Sequence, residues 1–258
     1  MRVTRYEPSE VVRRGRLNTN TVARLDDVAT FAELLGVLGE LRAEHGPARL
    51  LCTLDDVSQC AYTSGHAALD DRLWLDDGDP GDEDHAARRR ADDARTAHIA
   101  AALDDPGPRV TWDELPGERL GGEADVAALV GVNRNPDAVL DDVVLVQRVP
   151  VSRDDLALAA IPNGYFTADW NVFQNHAIIR RMATHGYRPL GIGASLLGFD
   201  RAAAPSADEA LAVVADLKHL YGAPGATGWA ELTALLPRRP LLLLGYTENF
   251  PDLIDELG

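Results

Sequence analysis

The feature that most restricts the fold is a helical apolar pattern cut off by a glycine–proline pair and followed at once by a short apolar run. Val28, Phe31, Leu34, Leu35, Leu38 and Leu41 recur at three- and four-residue steps, which stacks them on one side of a helix. Gly46-Pro47 ends that helix, because proline cannot continue the backbone ladder. The run Arg49-Leu50-Leu51-Cys52-Thr53-Leu54 then reads as a buried strand. The segment ending Glu44-His45-Gly46 before this strand resembles the one ending Thr184-His185-Gly186 before another. Two explanations stand side by side: an internal duplication, or the commonness of helix–glycine–strand connections.

The rest of the chain continues the alternation. Asp76 to Asp84 carries no apolar residue and is expected as an exposed loop, without the central glycine and terminal glutamate of an EF-hand. A helix is expected from His85 to Leu103, broken by Pro106-Gly107-Pro108. Val143 to Val146 and Leu156 to Ile161 read as strands around a polar turn at Ser152 to Asp155. A helix should run from about Asp169 to Thr184, capped by Thr167 or Asp169, and be followed by an apolar stretch from Tyr187 to Phe199. Ser206-Ala207-Asp208-Glu209 is a capping box that opens a helix with Leu211, Val214, Leu217 and Tyr221 on one side. A helix near Trp229 to Leu236, a strand at Leu241 to Leu244 and a short helix around Pro251 to Leu257 close the chain. The expected class is α/β or α+β, a mixed β-sheet with packed helices. Its organisation is an N-terminal α/β region, 1–135, holding the acidic loop 76–84, and a C-terminal α/β region, 136–258, or one continuous domain.

Composition narrows the partners. At 258 residues, 46% of them apolar and 26% charged, the chain has ordinary globular content. No apolar run is long enough to cross a bilayer, and Met1 to Glu7 carries no secretory pattern, so a cytoplasmic location is expected. Two cysteines, Cys52 and Cys60, make no disulfide framework. The formal charge of −16 repels nucleic acid and anionic membranes and attracts basic partners. The competing explanation is a solvated surface of GC-rich coding: Lys218 is the only lysine, and the paired aspartates are scattered.

Chemistry-bearing residues concentrate between Pro162 and His176. Tyr165, Asp169, Trp170 and Asn171 sit there at a strand-to-helix junction, where free backbone N–H groups suit an anion. The alternative is a capped helix with Trp170 and Phe173 in the core. His176 and His185 are candidate acid–base groups, with Asp169 on the same helical side as His176. Arg188 completes the candidate ligand set. His45, Cys52, Cys60 and His66 could bind zinc by residue type, but their spacing matches no paired knuckle, and no metal is expected.

Two resemblances are visible. Arg188-Pro189-Leu190-Gly191-Ile192-Gly193 fits R-x-x-G-x-G and resembles the pyrophosphate-binding loop of the N-acetyltransferase superfamily. That resemblance implies acyl-CoA held by Arg188, Gly191 and Gly193 at a helix N-terminus. Residues 156–222 are instead similar, as a whole, to a bacterial domain family of unknown function: a Trp-Asn pair, a helix, an aromatic–glycine step, a strand–turn–strand and a Pro-…-Glu-Ala-Leu helix start. Here Ser206 replaces the second proline of that start, and the family's later cysteine motif is missing after Tyr221. This resemblance implies a strand pair over Arg188 to Phe199, with Gly191 and Gly193 at a turn or bulge. The functional expectation is a non-catalytic acidic cytosolic interaction protein, of regulatory or immunity type, that recognises a basic protein without a cofactor. The alternative is a small-molecule-binding enzyme, acyl-CoA-dependent in its sharpest form.

Overall fold

The computed structural model describes residues 1–6, 17–76, 84–115 and 122–255. Its strands are β1 (Arg2–Arg5), β2 (Thr21–Asp26), β3 (Arg49–Thr53), β4 (Val143–Val149), β5 (Arg188–Ile192), β6 (Leu196–Asp200) and β7 (Leu241–Gly245). Its helices are α1 (Phe31–His45), α2 (Val57–Ala67), α3 (His85–Asp104), α4 (Glu123–Arg134), α5 (Val172–Thr184), α6 (Ala207–Tyr221), α7 (Gly228–Leu235) and α8 (Asp252–Asp255). The fold is a mixed seven-stranded sheet, ordered β1-β2-β4-β3-β5-β6-β7, with helices packed on it. β4, from the C-terminal region, lies between β2 and β3, so the two expected regions share one sheet.

The opening pattern folds as its spacing dictates from Phe31 onward, whereas Val28 is buried ahead of the helix. Thr30 caps α1 by accepting from the Glu33 N–H, and the Glu33 carboxylate reaches back to the Ala29 N–H. Phe31, Leu34, Leu38 and Leu41 are buried on one face, while Leu35 is half-buried. β3 follows, buried from Leu50 onward. It lies parallel to β5, with Cys52 opposite Gly191, in the middle of a sheet whose other pairings are antiparallel. The two similar helix–glycine–strand segments are therefore neighbours, but their continuations differ: β3 leads to α2, whereas β5 turns back into β6.

Several sequence expectations require correction. Leu156 to Ile161 is no strand: Asp154–Ala160 is a 3-10 helix whose residues from Leu156 onward are buried. An unbroken apolar run reports burial without a period, so it cannot distinguish the two conformations. α5 begins at Val172, with Asn171 rather than Thr167 or Asp169 as its cap. On α6 the capping box of Ser206 and Glu209 is present, but Leu211 is exposed while Val214, Leu217 and Tyr221 are buried. The expected helix near Trp229 is α7, tightening to a 3-10 turn over Leu236–Arg238. Residues 77–83 of the acidic loop and 256–258 of the terminal helix lie outside the described residues; Asp84 caps α3 through the Ala87 N–H. Among the described residues no helix is long and apolar enough to cross a membrane.

Candidate functional site

The parallel pair ends in a buried polar cluster. Beyond β3, Asp55 is turned toward the β5–β6 hairpin, where its Oδ2 accepts from the Ser195 N–H at 2.8 Å and its carbonyl accepts from the Ala194 N–H at 3.1 Å. The approach is so close that a Cβ on Gly193 would lie 1.7 Å from Asp55 Oδ1. A Cβ on Gly191 would lie 2.5 Å from the Cys52 carbonyl oxygen. The Gly193 N–H itself donates to the Leu196 carbonyl at 2.8 Å and closes the hairpin. Gly191 and Gly193 thus serve sheet packing, and the register shift between Pro189 and Gly191 is the expected bulge. The phosphate-cradle geometry is absent: strand β6 follows the glycines in place of a helix, and Arg188 is committed to Asp200 at 2.8 Å, which also takes both arms of Arg42. Burial pushes the Asp55 carboxyl up to about 7 against the backbone N–H groups, led by Ser195, that favour its charge.

This cluster fixes the loop between the 3-10 helix and α5. Asn163 donates from Nδ2 to the Gly193 carbonyl at 3.3 Å and accepts at Oδ1 from the Gly164 N–H at 2.9 Å. Asn175, on the buried side of α5, donates to the carbonyls of Asn163 at 3.0 Å and Trp170 at 2.9 Å. The backbone N–H of Trp170 donates to the Tyr246 carbonyl, and the Tyr246 hydroxyl lies 2.8 Å from the Gly193 carbonyl and 2.9 Å from that of Ala194. Gly164 takes a φ of +108° in a space where a Cβ would stand 2.0 Å from the Trp170 carbonyl. Asp169 Oδ2 closes the loop by accepting from the Phe166 N–H at 3.2 Å.

A loop pinned at both ends presents Tyr165 and Phe166 outward, 45% and 47% exposed. They meet the outer face of α2. His66 stacks on Tyr165 at 4.8 Å, Tyr62 packs edge-on against His66 at 4.4 Å, and Phe166 lies 5.2 Å from Tyr165. Leu69 joins His66, Tyr165 and Asn171 around a groove of about 420 Å³, and with Trp74 borders a second hollow of about 450 Å³. Of the large apolar side chains exposed among the described residues, all but Met1 and Leu211 gather here. Asp71 and Asp76, both exposed, flank Trp74 in the sequence. The result is a continuous aromatic surface with acidic residues beside it.

The candidate residues read from the sequence do not converge on one cavity. Tyr165 and Asn171 border the groove, while Trp170 is buried behind it and Asp169 is a turn-forming carboxylate. His176 is buried and holds Asp155 Oδ2 at 2.9 Å; Asp169 precedes the helix and is not its partner. Burial raises the Asp155 pKa, but the bonds from His176 and Arg153 outweigh it and hold the carboxyl well below its usual range. His185 ends α5 and meets Asp216 at 2.5 Å beside the two-armed contact of Arg181. The thiols of Cys52 and Cys60 are buried against the carbonyls of Leu190 and Ile192. Burial pushes Cys52 up to about 12 and Cys60 higher still, the opposite of an activated nucleophile. Among the described residues no three His, Cys, Asp or Glu side chains are grouped to hold a metal ion.

Sequence reasoning missed Tyr62, Leu69 and Trp74, held Phe166 only as part of the stretch from Pro162 to His176, and weighed His66 only as a metal ligand. The available signal was the spacing of Tyr62 and His66 at i, i+4 on one side of α2, with Leu69 just past its end. Comparison with family models, curated proteins and solved structures gave no match.

Proposed function

We propose that this chain is a non-catalytic protein-recognition module of the cytosol, of regulatory or immunity type, that binds a basic partner through the Tyr62, His66, Tyr165 and Phe166 face. The observation that carries this reading is the gathering of exposed aromatic and apolar side chains on one surface. Exposed apolar surface is tolerated singly, whereas a contiguous patch marks an interaction site. Tyrosine and tryptophan are also the residues that dominate binding energy when a partner covers them. The hydrogen-bonded loop from Asn163 to Asn171 lowers the ordering entropy that association costs. The charge of −16 steers a basic protein and repels nucleic acid.

The test is affinity capture with the wild-type chain and with a Tyr165→Ala/Phe166→Ala variant, at low and moderate salt. A basic protein held by the wild type and released by the variant is the expected result. Retention of the same proteins by both chains, or of none by the wild type, sinks the reading. Thermal shift with acyl-CoA separates it from the enzyme alternative, because a ligand at 100 times its Kd adds about 2.7 kcal/mol of apparent stability.

A further inference from the structure

At the opposite end of α5 from the aromatic face lies a hollow of about 580 Å³ with the reverse electrostatic character. Four arginines line it, Arg49 from β3, Arg153 from the loop after β4, Arg180 from α5 and Arg109 from the segment after α3, against Asp154 and Asp155 in the lining and Asp104 beside Arg109 and Arg153. In a chain of charge −16 this is a local excess of positive charge. Two of the arginines are already engaged. Arg49 donates to the Pro47 and Ser152 carbonyls and contacts Asp154, and Arg153 grips Asp155 with two arms and Asp104 with a third. The other two keep open donors. Arg180 is exposed and makes no hydrogen bond or ion pair among the described residues. Arg109 touches Asp104 through one terminal nitrogen, while its Nε is buried without a partner among the described residues.

We infer that this hollow is a binding site for a small organic anion carrying a phosphate or carboxylate group. A planar guanidinium with open N–H donors matches the paired oxygens of either group, and leaving a buried donor unmet is costly. Ile179, Ala183 and Pro189 supply an apolar wall, and the volume lies in the range of small-molecule sites rather than of a single ion. Arg49 and Arg153, held by their own partners, form a fixed floor whose charge is largely balanced by Asp154, Asp155 and Asp104. The two remaining arginines close on the ligand's oxygens. The net charge of −16 gives anions no general attraction to the chain, so binding depends on this local cluster and weakens with salt.

Thermal shift and calorimetric titration of the full chain with inorganic phosphate, pyrophosphate and citrate, each against sodium chloride of equal ionic strength, test the assignment. The expected result is a saturable rise in Tm with at least one of the three. In Arg109→Gln/Arg180→Gln that ligand's Kd weakens about tenfold or more, whereas Arg134→Gln, on α4, leaves it unchanged. Pyrophosphate binding above citrate identifies the phosphate class, and the reverse order the carboxylate class. No rise beyond the chloride control with any probe, or equal binding by the double variant, overturns the inference. Far-UV circular dichroism of the double variant confirms that it is folded when compared.

Discussion

Asp55 accepts the backbone N–H of Ser195 at 2.8 Å, so a buried carboxyl ties the end of β3 to the turn of the β5–β6 hairpin. Its second oxygen has no hydrogen-bond partner among the described residues and faces the Cα of Gly193. Burial outweighs the N–H donors and sets the pKa at about 7, above the ~3.9 of an unfolded aspartate. The folded state therefore holds the proton more tightly than the unfolded chain. Its contribution is fully present below about pH 4, falls by ~1.4 kcal/mol for each pH unit between the two pKa values, and is gone above about pH 7. Urea unfolding at about pH 5 and about pH 8 measures it: Asp55→Asn should lose less stability between the two than the wild type does. Equal losses in both chains refute the assignment.

Asp155 gives the opposite sign. His176 and Arg153 hold its carboxyl below the usual range, overcoming the upward push of burial. Its stabilising contribution is present above the unfolded value of ~3.9 and disappears as pH falls through the depressed folded value. Asp155→Asn should cost about 2–3 kcal/mol near neutrality, because a partly buried charge-assisted contact is lost. The gap between variant and wild type should narrow steadily as pH falls below about 4, as read from guanidinium midpoints across the acid range. A gap that stays constant with pH assigns the cost to packing instead.

The legible parts of this fold are those governed by neighbours in sequence. The α1 periodicity, the break at Gly46-Pro47, the Ser206–Glu209 capping box and the bend at Gly191 all depend on residues a few positions apart. What stayed hidden depends on the sheet. Asp55 is one of many paired aspartates in the sequence, and only the parallel placement of β5 beside β3 buries it. His176 finds Asp155 twenty-one residues earlier, and His185 finds Asp216 thirty-one later, distances at which local spacing carries no information. α2 was missed because its buried side is made of Cys60, Thr63 and Ala67, too small and too polar to leave an apolar stripe.

Gly164 tests whether the loop that displays the aromatics is held as described. Its φ of +108° and the 2.0 Å approach of a Cβ to the Trp170 carbonyl leave alanine no relaxed conformation. Gly164→Ala should cost about 2–3 kcal/mol or more in urea unfolding, from strain at a position that L side chains avoid. Gly225→Ala is the matched control, because nothing lies within 4 Å of a Cβ there, and it should change stability by less than about 0.5 kcal/mol. Equal midpoints for the two variants contradict the pinned loop.

The aromatic face should separate stability from binding. Tyr62 is 55% exposed and Phe166 47% exposed, so truncating either removes little buried surface. Tyr62→Ala and Phe166→Ala should each leave the thermal midpoint within the effect of about 0.5 kcal/mol typical of surface substitutions. Interface aromatics commonly carry about 2 kcal/mol or more each, so partner affinity should fall some thirtyfold per substitution in calorimetric titration. Leu211→Ala provides the contrast. Leu211 is equally exposed, at 58%, but it stands on α6 apart from the aromatic contacts. Its removal should alter neither property, so an equal loss of affinity at Leu211 places the partner on a different surface and refutes the aromatic one.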